Sequence, residues 1–391
     1  MVMKGIVIYY SATGNTAKIA KAIHTGMKNV IECDIAPIKK ADSRDMAKYD
    51  VISIGAPIWY FREPANVRIF IYNMPDLHGK LCVPFTVHGA SPSGFFHSMV
   101  PPLIRKGLTV IGYNNWYGSV DQVLHAPKPY FTDGHPDEID LKEAYDFGRE
   151  MAERARRIAA GETSLIPELP KGPGADPLWR PHPLGQPFPS SKGQSTPGPL
   201  PMPRPQRTIN MDTCLYPGCT LCVDNCPANS IDFSASPPVF KQNCINCFLC
   251  DRMCPQGAIE LDEDSIRSTK TQKVINMEKC TYPKCTLCVD HCPMNSIDFS
   301  ASPPVFKRSC EGDDLCWVIC PTGAIEITNL EETHGAMVAR SAGAKDHPFL
   351  KLLAEAEATG RFRRLVPLDK IGWDNYVYRI QKPPRYVIEE E

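Results

Sequence analysis

The chain has 391 residues, 43% of them hydrophobic, and sets 43 Lys and Arg against 44 Asp and Glu for a formal net charge of −1. That length predicts two or three domains, and the charge balance removes the basic field that recruits nucleic acid. No run of about 18 apolar residues is present to insert in a membrane.

The seventeen cysteines are an odd number, and no charged and apolar leader opens the chain. A secreted disulfide framework is therefore a poor reading, and a reducing, cytoplasmic compartment is expected.

In chain order, Lys4 to Tyr10 (KGIVIYY) reads as a buried apolar strand. Ser11-Ala12-Thr13-Gly14-Asn15-Thr16 follows and opens an amphipathic helix through about Met27. Backbone N–H groups at a helix start, with hydroxyls from Ser11, Thr13 and Thr16, suit a phosphate, and Gly14 lets the backbone approach it. The loop has neither the Gly-Lys-Thr of a nucleotide P-loop nor the G-x-G-x-x-G of a dinucleotide turn. Asp50 to Tyr60 reads as a strand ending in a Pro-aromatic loop (Pro57, Ile58, Trp59, Tyr60). Lys80–Val87 is a further strand, running into the small-residue loop His88-Gly89-Ala90-Ser91-Pro92-Ser93-Gly94. Cys33 and Cys82 lie in predicted strands and read as buried small hydrophobes. His125 and His135, in the segment Asp121–Pro136, read as solvated loop residues. A helix is expected from Asp140 to Ala160.

These loops together resemble the flavodoxin family over about residues 1–160. The resemblance implies an α/β doubly wound parallel sheet of order 2-1-3-4-5, with FMN outside the carboxyl ends of the strands. It also implies that Ser11, Thr13, Gly14, Asn15 and Thr16 hold the phosphate. Pro57, Ile58, Trp59 and Tyr60, with Gly89, Ala90 and Ser91, would then hold the ring, Trp59 stacking on it. The alternative for Trp59 is a core or surface-patch aromatic.

A Pro-rich linker occupies residues 161–207, and 13 of the 39 residues from Pro167 to Pro205 are proline. It forms no helix or sheet of its own. Extended at about 3.1 Å per residue, it is a spacer or a swinging tether. Trp179 and Phe188 are candidate anchors of an ordered belt.

Fifteen cysteines then fall between Cys214 and Cys320 in four runs. The first is Cys214, Cys219, Cys222 and Cys226-Pro227; the second is Cys244, Cys247, Cys250 and Cys254-Pro255. Runs of this spacing ending in Cys-Pro are the bacterial iron–sulfur motif, in which the fourth cysteine ligates the other cluster. The expected groups are Cys214, Cys219, Cys222 with Cys254, and Cys244, Cys247, Cys250 with Cys226. Adding 66 to each number finds the pattern again, and residues 219–240 and 285–306 differ at two of 22 positions.

The third group is therefore Cys280, Cys285, Cys288 and Cys320, and the fourth is Cys310, Asp313 and Cys316 with Cys292. Asp313 stands where the first repeat has Cys247. Its hard oxygen would hold iron more weakly, which leaves a four-iron cluster, a three-iron cluster or an empty site open. Structural zinc needs fewer cysteines than these runs supply.

The organisation expected is a domain over 1–160, linker 161–207, ferredoxin-like α+β domains at 208–267 and 274–328, and a tail at 329–391. In the tail, His347–Ala358 looks helical, and its aromatics are expected to pack on the cluster domains or to dock a partner. The whole is similar to flavodoxin–ferredoxin fusion proteins of anaerobic metabolism, though the duplicated cluster unit and the tail depart from that pattern. The resemblance implies an electron carrier that exchanges low-potential electrons between FMN, [4Fe-4S] clusters and a redox enzyme or ferredoxin-type partner, with a homo-oligomer possible. A flavin-dependent reductase acting on a small molecule near Trp59 and His88 is the alternative, with a redox sensor or scaffold third.

Overall fold

The computed structural model describes residues 2–59, 62–92, 94–120, 129–169, 207–226, 230–241, 244, 249–261, 271–312, 314–330 and 348–371. They fall into two compact units, one holding residues up to 120, 129–169 and 349–371, the other the cysteine-rich region.

The first unit is built on a parallel sheet. β1 (Lys4–Tyr9), β2 (Glu32–Pro37), β3 (Val51–Pro57), β4 (Leu81–His88) and β5 (Thr109–Val110) lie in the order β2-β1-β3-β4-β5. β6 (Asn114–Tyr117) continues β5 along β4, pairing Phe85 with Asn114 and His88 with Tyr117. Every residue of β4 is buried, as is every residue of β3 except Pro57. Continuous apolar runs such as these fit a sheet covered on both faces.

One face packs under α2 (Ala65–Asn73) and α3 (Phe95–Arg105), where Ile8, Ile52, Ile54, Phe70, Phe95 and Met99 join one core. The other packs under α1 (Asn15–Lys28) and α4 (Glu138–Ala159), with Val7, Ile19, Ile23, Val83, Trp116 and Met151 in a second. Glycine sets the approach of α1 and α4. A Cβ on Gly26 would stand 2.0 Å from the carbonyl oxygen of Tyr145, and one on Gly148 would stand 2.2 Å from that of Ile23. α4 starts at a capping box between Asp137 and Asp140, which fixes where the preceding loop must end.

The second unit repeats one small fold. β7 (Arg207–Ile209) pairs antiparallel with β10 (Ile259–Leu261), and β8 (Ile231–Asp232) with β9 (Val239–Phe240). At offset 66, β11 (Lys273–Ile275) pairs with β14 (Ile325–Ile327), and β12 (Ile297–Asp298) with β13 (Val305–Phe306). The first and last strands of each repeat thus meet and close it around its two cysteine runs. Each repeat also stacks one aromatic pair, Tyr216 on Phe233 and Tyr282 on Phe299, at 4.0 Å between ring centres.

The tail departs from expectation. The helix Pro348–Ala358 forms as expected, but residues 349–371 belong to the sheet unit and not to the cluster unit. Leu353, Ala356, Phe362 and Ile371 are buried there. The Pro-rich segment with Trp179 and Phe188 lies outside the described residues.

Candidate cofactor sites

The Ser11–Thr16 loop sits at the carboxyl end of β1 and turns into α1. Gly14 holds it with φ of 94°, a left-handed conformation that suits glycine, and its N–H donates to Ser11 Oγ at 3.0 Å. α1 has no side-chain cap at Gly14 and no acidic residue in its first turn, so no carboxylate there opposes an anion at its positive end. Asn15 and Thr16 are buried while Ser11 and Thr13 are half-buried. Asn15 Nδ2 donates to the carbonyl of Ser119 at 2.9 Å, tying this loop to the one after β6. The donor set fits the phosphate of FMN.

Around the expected ring position, the structure places Trp59 in the core, 6% exposed, edge-on to Tyr10 with ring centres 5.3 Å apart. Pro57 and Ile58 are half-buried at the end of β3, as are Gly89, Ala90 and Ser91 after β4; Tyr60 lies outside the described residues. A Cβ on Gly89 would stand 2.0 Å from the side chain of Val120, so the loops after β4 and β6 meet closely. His88 Nε2 lies 2.5 Å from Asn115 Oδ1, and burial pushes its pKa down to about 4. It is neutral near pH 7 and no acid at that pH.

A buried ion pair that sequence reading missed supports this loop. Arg68 Nε donates to Glu63 Oε1 at 2.5 Å, and Arg68 Nη2 donates to the carbonyl and hydroxyl of Ser98 at 2.8 and 2.7 Å. Arg62, Glu63 and Arg68 are all at most 1% exposed. Removing one partner of such a pair costs about 3–5 kcal/mol, so the aromatic loop is anchored from below. The surface-like run Arg62-Glu63 gives no sign of this burial.

The cysteines come together across runs. Burial, then the thiolates of Cys254 and Cys214, push Cys222 up to about 11. Burial and then Cys320, Cys280 and Cys285 do the same to Cys288. Cys292, Cys310 and Cys316 line one shared recess. The last cysteine of each run accepts a backbone N–H at 3.2 Å: Ser230 to Cys226, Ala258 to Cys254, Ser296 to Cys292 and Ala324 to Cys320. Cys214, Cys226 and Cys250 pack with Cys222 and Cys254 around Ile209, Ile231 and Ile259. Half-buried thiolates crowded in this way repel one another unless a cationic centre joins them, and the sets fit iron–sulfur clusters. Cys219 and Cys285 are half-buried in their runs, while Cys247 and Asp313 lie outside the described residues.

Two further cations reach these groups. Arg207 Nη1 lies 3.5 Å from Cys244 Sγ. Its counterpart Lys273 sits instead 2.6 Å from Asp314 Oδ1. Burial opposes the charge on Lys273, but Asp314, Cys310 and Cys316 outweigh it and hold its pKa well above the ordinary range.

The thiols of Cys82, buried, and Cys33, half-buried, behave as small hydrophobes. Burial pushes Cys33 up to about 12 and Cys82 higher still. His135, by contrast, is not a solvated loop residue. It is 3% exposed, with Nδ1 2.5 Å from Asp140 Oδ2 and Nε2 2.7 Å from the carbonyl of Arg363. Its carboxylate neighbours are engaged by Arg363, whose Nη2 lies 2.6 Å from Asp137 Oδ1. His125 lies outside the described residues.

Residues 6–94 match the family described as a flavodoxin domain, and residues 243–296 match the 4Fe-4S dicluster domain. The chain joins an N-terminal flavodoxin domain to a C-terminal 4Fe-4S dicluster domain. The flavodoxin domain implies FMN, and the dicluster domain implies two [4Fe-4S] clusters. The dicluster match spans the second and third cysteine runs, whereas strand pairing joins the first with the second and the third with the fourth.

An NAD(P)H dehydrogenase (quinone) of Caulobacter vibrioides is 28% identical over 200 residues, covering 40% of this chain and 98% of that protein. The methylamine utilization ferredoxin-type protein MauM of Paracoccus denitrificans is 27% identical over 145 residues, covering 30% of this chain and 65% of its own. Among solved structures, a flavodoxin from the domain Archaea aligns at 20% identity with a TM-score of 0.32, covering 39% of this chain and 99% of that one. Among the described residues no helix is long and apolar enough to cross a membrane.

Proposed function

We propose that the chain is an electron-transfer protein that relays low-potential electrons between FMN and four iron–sulfur clusters, exchanging them with a redox protein partner. The observation that carries this reading is the grouping of cysteines across runs, in which Cys222 meets Cys254 and Cys288 meets Cys320. An anion cradle without acidic neighbours stands in the same chain. FMN takes two electrons and each cluster one, so the pair converts between two-electron and one-electron traffic.

Ser11, Thr13 and the α1 N-terminus would hold the phosphate, and the loops after β3 and β4 would exclude water from the ring. His88, neutral and hydrogen-bonded to Asn115, would offer no proton near pH 7, which suits transfer of electrons over acid–base chemistry on a substrate. The test is anaerobic reconstitution, iron and flavin analysis, then rapid reduction of the clusters with flavin absorbance followed in time. About 16 irons and one FMN per chain, with flavin reduction following cluster reduction, is the expected result; about 12 irons would leave the Asp313 group empty. FAD in place of FMN, or a flavin that stays oxidised, would overturn the reading.

A second reading rests on the similarity to quinone-reducing NAD(P)H dehydrogenases over nearly their whole length. On that reading the flavin itself reduces a small acceptor. Steady quinone turnover by the isolated protein with NAD(P)H selects it over the first.

A further inference from the structure

The two repeats agree at 20 of 22 positions over their most similar stretch, so a charged residue present in one and absent from the other is informative. Four such residues meet. Arg252 Nε lies 2.6 Å from Glu311 Oε2, with side chains 0% and 1% exposed, and Arg252 Nη2 donates to the backbone carbonyl of Glu311 at 3.0 Å. Arg308 Nε lies 2.6 Å from Asp251 Oδ1, and its Nη1 donates to the carbonyl of Gly257 at 2.7 Å.

Each repeat supplies one cation and one anion, and none of the four recurs at offset 66. Asp251 and Arg252 correspond to Trp317 and Val318, and Arg308 and Glu311 correspond to Gln242 and Ile245. The contact is therefore heterologous. A third copy could not join by the same charges.

These four residues flank two particular cysteines. Asp251 follows Cys250 directly, Glu311 follows Cys310 directly, and Arg308 precedes Cys310 by two. Both ion pairs therefore draw together the group of Cys226, Cys244 and Cys250 and the group of Cys292, Cys310 and Cys316. In each of the other two groups the first cysteine neighbours exposed apolar side chains: Leu215 and Tyr216 beside Cys214, and Tyr282 two residues after Cys280.

We infer that the two dicluster repeats are locked by the Arg252–Glu311 and Arg308–Asp251 pairs into one four-centre electron path, its inner centres facing each other and its outer centres serving as the two ports. The inference rests on the ligand groups of the proposed function. Each hop oxidises one centre and reduces its neighbour by one electron, with no bond made or broken. The flavin or a one-electron redox protein supplies or accepts electrons at a port.

The full chain is tested as Arg252→Glu and as the double swap Arg252→Glu with Glu311→Arg. Hydrogen exchange of the helix Leu249–Met253 reports the contact without any metal. It should accelerate at least roughly a hundredfold in the single variant and recover in the swap. Paramagnetic resonance of the fully reduced protein should show spin–spin coupling between repeats that vanishes in the single variant and returns in the swap, at unchanged iron content. Unchanged exchange in the single variant, failure of the swap to restore protection, or coupling that survives Arg252→Glu would each overturn the inference. Wild-type protein that takes up no clusters would instead sink the ligand assignment, while the exchange result still judges the contact.

Discussion

Asp314 shows how one residue can separate two otherwise equal repeats. Each repeat opens its first strand with a buried cation aimed at the second cysteine run, Arg207 in one and Lys273 in the other. Arg207 lies 3.5 Å from a thiol sulfur, whereas Lys273 is taken up by Asp314 at 2.6 Å, a carboxylate that also accepts from the hydroxyl of Thr271. Phe248 occupies the equivalent position in the first repeat. A cation beside a cluster favours the added electron, and a carboxylate cancels it. Asp314→Phe should therefore raise the midpoint potential of the Cys310 group, on the order of 100 mV for a unit charge a few ångströms away at an effective dielectric near 20. Potentiometric titration followed by paramagnetic resonance measures it, and an unmoved potential would show that Lys273 does not act on that centre. At the other end of the chain, Thr13 is half-buried at an open loop, so Thr13→Val should spare the fold. Loss of one charge-assisted hydrogen bond should weaken FMN binding by about 10- to 100-fold in a fluorescence titration. Unchanged affinity would place the phosphate elsewhere.

At the scale of elements, the helix Pro348–Ala358 and the strap that follows are fastened to the loop before α4. Phe362 lies against Tyr117 at 4.6 Å between ring centres, Leu365 covers Gly134, and Arg363 pairs with Asp137. His135 sits at the middle with both ring nitrogens facing acceptors, Asp140 and the Arg363 carbonyl, an arrangement only the imidazolium satisfies. Burial opposes that charge, but Asp140 and the carbonyl outweigh it and raise the pKa above its ordinary 6.5, against the repulsion of Arg363. The sign follows from linkage: with the folded pKa raised, the contribution is full below pH about 6.5 and is lost as pH rises through the folded value. Protease resistance of the strap should fall between neutral and mildly alkaline pH, and His135→Gln should flatten that dependence. A pH-independent strap would remove His135 from this role.

None of this was legible in the sequence, because the partners of His135 stand five and 228 positions away and a loop histidine between Gly134 and Pro136 looks solvated. The flavodoxin and 4Fe-4S domains were legible because their motifs need fixed local spacing. Trp59 was half-legible: an aromatic at the end of β3 is plain, but its burial against Tyr10 depends on a residue from β1's far end.

At the scale of the molecule, the placement of the strap changes how the cluster unit is held. A Pro-rich linker alone would leave it swinging from one end. Instead the chain leaves the flavodoxin unit after α4 and returns to it at residue 349, so two stretches of chain run between the units, and residues 349–371 are attached to the flavodoxin unit by packing. The buried side chains of Leu353, Ala356, Phe362 and Ile371 supply that attachment, each fully buried apolar side chain being worth about 1.5–3 kcal/mol before entropy is charged. A consequence follows for a chain cut once, within residues 170–206, by an inserted protease site. The two fragments should still elute together by size exclusion at pH 6, because the second fragment carries the strap that binds the first. Arg363→Ala combined with Phe362→Ala should release them, through loss of the ion pair to Asp137 and of the ring contact with Tyr117. Fragments that separate at pH 6 without these changes would show that the strap is too weak to hold, and the linker alone would then join flavin and clusters.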